Sequence, residues 1–145
     1  MPMKFTLQQQ ATLRAAVDRI IPPDDYPGAW DAGVGDYLAR QFEGDLQPLL
    51  PTYCAGLDAL DGEAAARFGA PFAALETEQQ DAVLQHLETD DVLAAWPVAP
   101  RKFLAMLANH TAEGYYGDPG NGGNRDGLSW FMIGCETQSK GAALC

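Results

Sequence analysis

The chain has 145 residues, 47% of them apolar and 20% charged, which fits one folded domain and excludes both a multidomain enzyme and a disordered chain. Nine basic residues against 20 acidic ones leave a net charge of −11, a balance that argues against binding a phosphate backbone or an anionic membrane surface. No stretch reaches the roughly 18 consecutive apolar residues of a membrane span, and the start, Met1 to Gln10, lacks the long apolar core of a signal peptide.

The charge is unevenly placed. Residues 1–91 hold 16 acids and 5 bases, whereas residues 92–145 hold 4 of each. A solvated acidic surface that aids solubility accounts for the first part, and the neutral last third asks for a separate explanation.

In chain order, Thr6 with Gln9 three residues later is a capping-box pattern, and Leu13, Ala16, Val17, Ile20 and Ile21 follow at helical spacing. Pro22-Pro23 stops this first helix, since proline lacks an N–H and restricts the residue before it. A turn-rich connection, Asp24 to Ala29, comes next. Asp31 is positioned to cap a second helix through Val34, Tyr37, Leu38, Gln41 and Phe42. A third begins near Pro51, carries Tyr53, Leu57, Leu60, Ala64 and Phe68, and ends at Gly69. A fourth runs from about Thr77 with Ala82, Val83, His86 and Leu87 on one side, and Asp90-Asp91 and Trp96-Pro97 close that region. The fifth spans Pro100 to Glu113 with Phe103, Leu104, Met106, Leu107 and Ala108, and Gly114 announces its end.

No segment alternates as a strand does, so the expected fold is all-α: a single domain over 1–145 built as an irregular bundle of about five helices. Its helical core is expected over about 6–113, followed by a Gly/aromatic-rich loop and tail at 114–145. That loop holds six of the chain's 15 glycines between Glu113 and Gly127 and is flanked by Tyr115-Tyr116 and Trp130-Phe131. A flexible linker lacks large aromatics, so both ends of this loop are expected to be pinned by packing.

The loop matches no phosphate-cradling motif, has no preceding strand, and places glycines at 120 and 122 where a helix–loop–helix calcium site needs ligands. Only an irregular cation site from Asp118, Asn121, Asn124 and Asp126 remains conceivable. His86 and His110 sit on separate helices without metal-ligand spacing, and nothing marks Ser129 or Cys135 as an activated nucleophile. Asp24-Asp25 and Asp90-Asp91 read as caps and solvated charges. Three cysteines, Cys54, Cys135 and Cys145, form neither a zinc pattern nor a disulfide framework. They read as one buried thiol and two near the C-terminus, with a Cys135 bridge to Cys54, Cys145 or another chain as the alternative. A neutral, aromatic, glycine-shaped segment on an acidic body is best read as a partner-binding face.

Glu113-Gly114-Tyr115-Tyr116-Gly117-Asp118-Pro119, then Gly122-Gly123-Asn124, then Trp130 with Ile133-Gly134, resembles the gluconate 2-dehydrogenase subunit 3 family. Asp18-Arg19-Ile20-Ile21-Pro22 with Pro27-Gly28-Ala29 is a second block of likeness, and together the two suit an alignment over about 5–134. The resemblance implies a non-catalytic small subunit bound to a large FAD-dependent sugar or polyol dehydrogenase of the glucose–methanol–choline type, with a cytochrome c subunit in many such complexes. FAD is then expected in the partner and no cofactor in this chain. The expected interface is Tyr115, Tyr116, Gly117, Asp118, Pro119, Asn121, Asn124 and Trp130, the alternative being that Tyr115, Tyr116 and Trp130 pin the loop to the chain's own bundle. Several family members carry a twin-arginine leader, which this sequence lacks before Thr6. The expected location is therefore cytoplasmic, or periplasmic if a leader was removed or the partner supplies one. The competing function is a free-standing small metal-binding protein or enzyme using Asp118, Asn124, Asp126 and His110.

Overall fold

The computed structural model describes residues 5–117. Five α-helices appear among them and no strand: α1 (Leu7–Ile20), α2 (Val34–Phe42), α3 (Leu50–Phe68), α4 (Thr77–Glu88) and α5 (Pro100–Tyr116). Short 3-10 turns occupy Gln47–Leu49 and Phe72–Ala74. The all-α reading holds, and α1, α3 and α4 start and stop within a residue or two of where periodicity and breakers place them.

The α1 start is the reciprocal capping box foreseen: the Thr6 side chain accepts from the Gln9 N–H at 3.0 Å, and the Gln9 side chain accepts from the Thr6 N–H at 3.0 Å. A second box, Glu76 with Gln79, opens α4. Asp31, however, does not cap α2. Gly33 occupies the cap position at φ 100°, and Asp31 is exposed two residues before it. The left-handed conformation costs a glycine nothing, so the chain turns into α2 without a side-chain acceptor.

The fifth helix also departs from expectation. Gly114 does not end it; α5 continues through Tyr115 and Tyr116 to a cap at Gly117. The reason is close packing. A Cβ on Gly114 would lie 2.8 Å from the Tyr37 ring, so this glycine admits an aromatic ring from α2 and the helix runs on beneath it.

Helix α1 lies at the centre, packed on α3, α4, α5 and the Phe72–Ala74 turn, while α2 packs on α5 and α4 bridges α3 and α5. The core joins Leu13 and Val17 of α1, Leu38 and Phe42 of α2, Tyr53, Leu57 and Leu60 of α3, Val83 and Leu87 of α4, and Phe103 and Leu107 of α5. Burying each leucine contributes roughly 1.5–3 kcal/mol. Around Tyr53 the aromatic rings meet edge to face, Phe42 at 4.8 Å and Phe103 at 5.9 Å between centroids.

Two carboxylates of α3 organise what surrounds it. Asp61 accepts from the Thr12 hydroxyl at 2.9 Å, the Gln8 amide at 3.0 Å and the Phe72 N–H at 3.0 Å, tying α1 and the Phe72–Ala74 turn to α3. Glu63 is fully buried and accepts from the Leu93 and Ala94 N–H groups, the Trp96 indole N–H and the Arg67 guanidinium at 2.7–3.2 Å. It therefore holds the α4–α5 connection in place.

Burial alone would raise the Glu63 carboxyl above its usual value, but the two backbone N–H groups, the Trp96 indole and Arg67 outweigh it and hold the group below the ordinary 4.5. A depressed folded-state value means that Glu63 stabilises the fold fully above about pH 4.5 and loses that contribution as pH falls through the folded value. Glu63→Ala is expected to cost about 3 kcal/mol or more in urea unfolding, because Arg67 and three N–H donors lose their acceptor. Glu63→Gln is expected to flatten the acid side of the stability–pH curve relative to wild type.

Candidate functional site

The site is built at the junction of the α1–α2 connection with the last turn of α5. After Ile20 the chain leaves α1 at the prolines and folds back, with the Ala29 N–H donating to the Ile21 carbonyl at 3.0 Å. Asp24 closes a small turn by accepting from the Tyr26 N–H at 2.9 Å, an Asx-type use of the side chain. Asp18, on the last turns of α1, reaches over the connection and accepts from the Trp30 N–H at 2.9 Å. Burial raises the Asp18 carboxyl, the Trp30 hydrogen bond works against this, and Asp31 adds to the rise by like-charge repulsion. Trp30 in turn lies beneath the Arg14 guanidinium, 5.9 Å from ring centroid to charge. One residue on from Asp18, Arg19 makes a bidentate pair with Asp81 of α4 at 2.8 and 3.1 Å.

The end of α5 closes onto this connection. Tyr115 is completely buried and its hydroxyl donates to the Pro27 carbonyl at 3.0 Å across 88 residues of sequence. Burial, with Tyr116 and Asp24 nearby, raises the Tyr115 phenol, so it stays a donor. Tyr37 lies against Gly114 and donates its hydroxyl to Glu113 at 3.2 Å. Tyr116 meets the Tyr115 ring edge-on at 5.0 Å and remains 47% exposed.

The two blocks singled out in the sequence, Asp18 to Ala29 and Glu113 to Gly117, thus meet in space. Of the expected interface residues, Tyr115 is buried with its hydroxyl on the chain's own Pro27, Tyr116 is half-exposed, and Gly117 caps α5. Asp118, Pro119, Asn121, Asn124 and Trp130 lie outside the described residues, as do Asp126, Ser129, Cys135 and Cys145.

Chemically, the side chains at this junction hold structure. No group of three or more metal-ligating side chains occurs among the described residues. His110 stands with Nδ1 2.5 Å from the Tyr53 hydroxyl, so that nitrogen is already engaged. Burial and Asp58 hold the half-buried Cys54 thiol above its usual range, away from the reactive thiolate. A groove of about 740 Å³ between α1, α4 and α5 is lined by the apolar Ile20, Leu84, Leu104 and Ala108 and by the charged Arg19, Asp81, Glu88 and Arg101, of which Arg19 is paired with Asp81. Asp18, Tyr37 and Glu63 were not singled out in the sequence as site or anchoring residues. Asp18 stood inside a recognised block, whereas Glu113, which receives Tyr37, and the Leu93, Ala94 and Trp96 donors to Glu63 lie 30 or more residues away.

These features define a small all-α protein whose distinctive residues shape one end of a helical bundle. A model of the gluconate 2-dehydrogenase subunit 3 family matches residues 7–136, and the chain belongs to that family, the accessory subunits of a multi-subunit dehydrogenase. Neither the curated proteins nor the solved structures give a match.

The geometry sets a graded series of effects on thermal unfolding. Tyr115→Phe is expected to cost about 1 kcal/mol through the lost Pro27 hydrogen bond. Gly114→Ala is expected to cost roughly 1–3 kcal/mol through the clash with Tyr37. Tyr116→Ala, at a half-exposed position, is expected to cost about 1 kcal/mol or less.

Proposed function

We propose that this chain is a non-catalytic small subunit that binds and stabilises the large FAD-dependent sugar or polyol dehydrogenase subunit of its complex, of the glucose–methanol–choline type, and helps its export where the pair is exported. The flavin belongs to the large subunit, a cytochrome c subunit completes the electron path, and this chain takes no part in electron transfer. The compartment follows the partner: cytoplasmic with a cytoplasmic flavoprotein, periplasmic where an export signal carries the pair.

One observation carries this reading. The two blocks that mark the family converge on one end of the bundle, and their polar groups fix the shape of that end while Tyr116 is left 47% exposed at its edge. A half-exposed tyrosine on a rigid support suits an interface anchor, since a large amphipathic ring already held in place loses little freedom on binding. The remaining expected interface residues, Asp118, Pro119, Asn121, Asn124 and Trp130, lie outside the described residues.

The test is co-expression of the chain with its genomic neighbours, capture on a tag, and an absorbance spectrum of the eluate. A much larger co-eluting protein with flavin absorbance in the blue is the expected result; a colourless chain eluting alone overturns the reading. Tyr116→Ala combined with Trp130→Ala is expected to abolish co-purification while the variant keeps the circular dichroism of a helical protein. Full retention of the partner by that double variant would show that the interface lies elsewhere.

A further inference from the structure

Tyr53 and His110 form a pair that neither the interface nor the family assignment uses. Tyr53, on α3, is completely buried among Phe5, Phe42 and Phe103. His110, on α5, stacks on it with ring planes 20° apart and sets Nδ1 2.5 Å from its hydroxyl. Burial pushes the Tyr53 phenol far above its ordinary range, with Glu113 and Tyr37 adding to the rise, so the hydroxyl keeps its proton and is the donor. Nδ1 must then offer its lone pair, which makes His110 the neutral tautomer with its proton on Nε2.

Protonating Nδ1 puts two donors face to face. The Tyr53 oxygen can accept from the imidazolium only by turning its own O–H away from Nδ1, and a buried hydroxyl that gives up its acceptor is unfavourable. Among the described residues, the charge acting on His110 is Glu113 on its own helix, and Tyr53 and Tyr37 are the titratable groups around it. Burial lowers the His110 value and Glu113 opposes this, but Glu113 is exposed to water and accepts from Tyr37, so burial prevails.

The position gives this chemistry a consequence. His110 precedes Gly114 by about one helical turn, and Gly114 and Tyr115 hold the end of α5 against α2 and the α1–α2 connection. We propose that the Tyr53–His110 pair is a pH-operated latch: with His110 neutral it fastens the last turns of α5 to α3, and protonation at Nδ1 releases the helix end that carries Tyr115 and Tyr116. A folded-state value below the unfolded one means that the latch is fully closed above about pH 6.5 and opens as pH falls below it.

Hydrogen exchange of the full chain from pH 7.5 to 5.0, corrected for intrinsic exchange, tests this. The opening constant of the amides of residues 111–116 is expected to rise by up to tenfold per pH unit below about pH 6.5, with the amides of α3 changing less. His110→Gln keeps an acceptor for Tyr53 but cannot titrate, and is expected to remove the rise. His86→Gln, at the chain's other histidine, is expected to leave it unchanged. A flat wild-type profile, a rise that survives in His110→Gln, or an equal rise in every helix overturns the proposal. If His110→Gln fails to fold, imidazole nitrogen NMR on wild type decides instead. Nδ1 unprotonated at pH 7.5 and titrating below about 6.5 supports the latch, whereas a protonated Nδ1 or a titration at or above that value overturns it.

Discussion

The structure depends first on the buried carboxylate of Glu63. Residues 89–99 between α4 and α5 form neither helix nor strand; Thr89, Asp90 and Asp91 bond back to α4 carbonyls, but the N–H groups beyond them have no ladder to join, and unpaired donors inside a protein are costly. Glu63 gathers Leu93, Ala94 and Trp96 onto one side chain while Arg67, one turn on, neutralises it and donates to the Asp91 carbonyl. Trp96 is thereby laid against Phe103 at 6.1 Å, and Asp90, at φ 56°, accepts from the Arg101 N–H at the start of α5. Where α5 begins decides where it ends, so this carboxylate also places the end that meets the α1–α2 connection.

Several other acids serve the same purpose. Asp61 joins α1 and the Phe72–Ala74 turn to α3, Asp18 holds Trp30, and Asp81 receives Arg19. A reading of the net charge as solvated surface describes Asp24, Asp25 and their exposed neighbours but misses these three and Glu63. Charge count carries no information on which acids face water. A chain with few bases can satisfy interior carboxylates with backbone N–H and hydroxyl donors, and this one does so at Glu63, Asp61 and Asp18.

Legibility followed the range of the interactions. Caps, breakers and helical spacing act within a few residues, so α1, α3 and α4 and most of the core could be read directly. The errors arose where a residue's role is set from far away. Gly114 looks like a helix stop until Tyr37, 77 residues earlier, is seen lying on it, and Asp31 looks like a cap until Gly33 turns the chain first. Tyr115 and Tyr116 look alike in the sequence; only the Pro27 carbonyl 88 residues away shows that the first is buried and the second half-exposed. The junction itself was legible as two blocks of likeness, but their meeting was not, because no local pattern records a contact between residues 27 and 115.

That meeting explains why the two blocks belong together. Each is incomplete alone: the α1–α2 connection has a Pro27 carbonyl to satisfy, and the end of α5 has a tyrosine hydroxyl to bury. Joined, they leave Tyr115 inside and set Tyr116 outside on a backbone that cannot shift without breaking the Pro27 bond or moving Tyr37 off Gly114. If this end is the binding surface proposed above, it is ordered in the chain alone, and association would not have to supply the conformational entropy of arranging it. In the proposed partner-binding role, the internal pins at Tyr115 and Gly114 would serve binding by fixing the surface that Tyr116 edges.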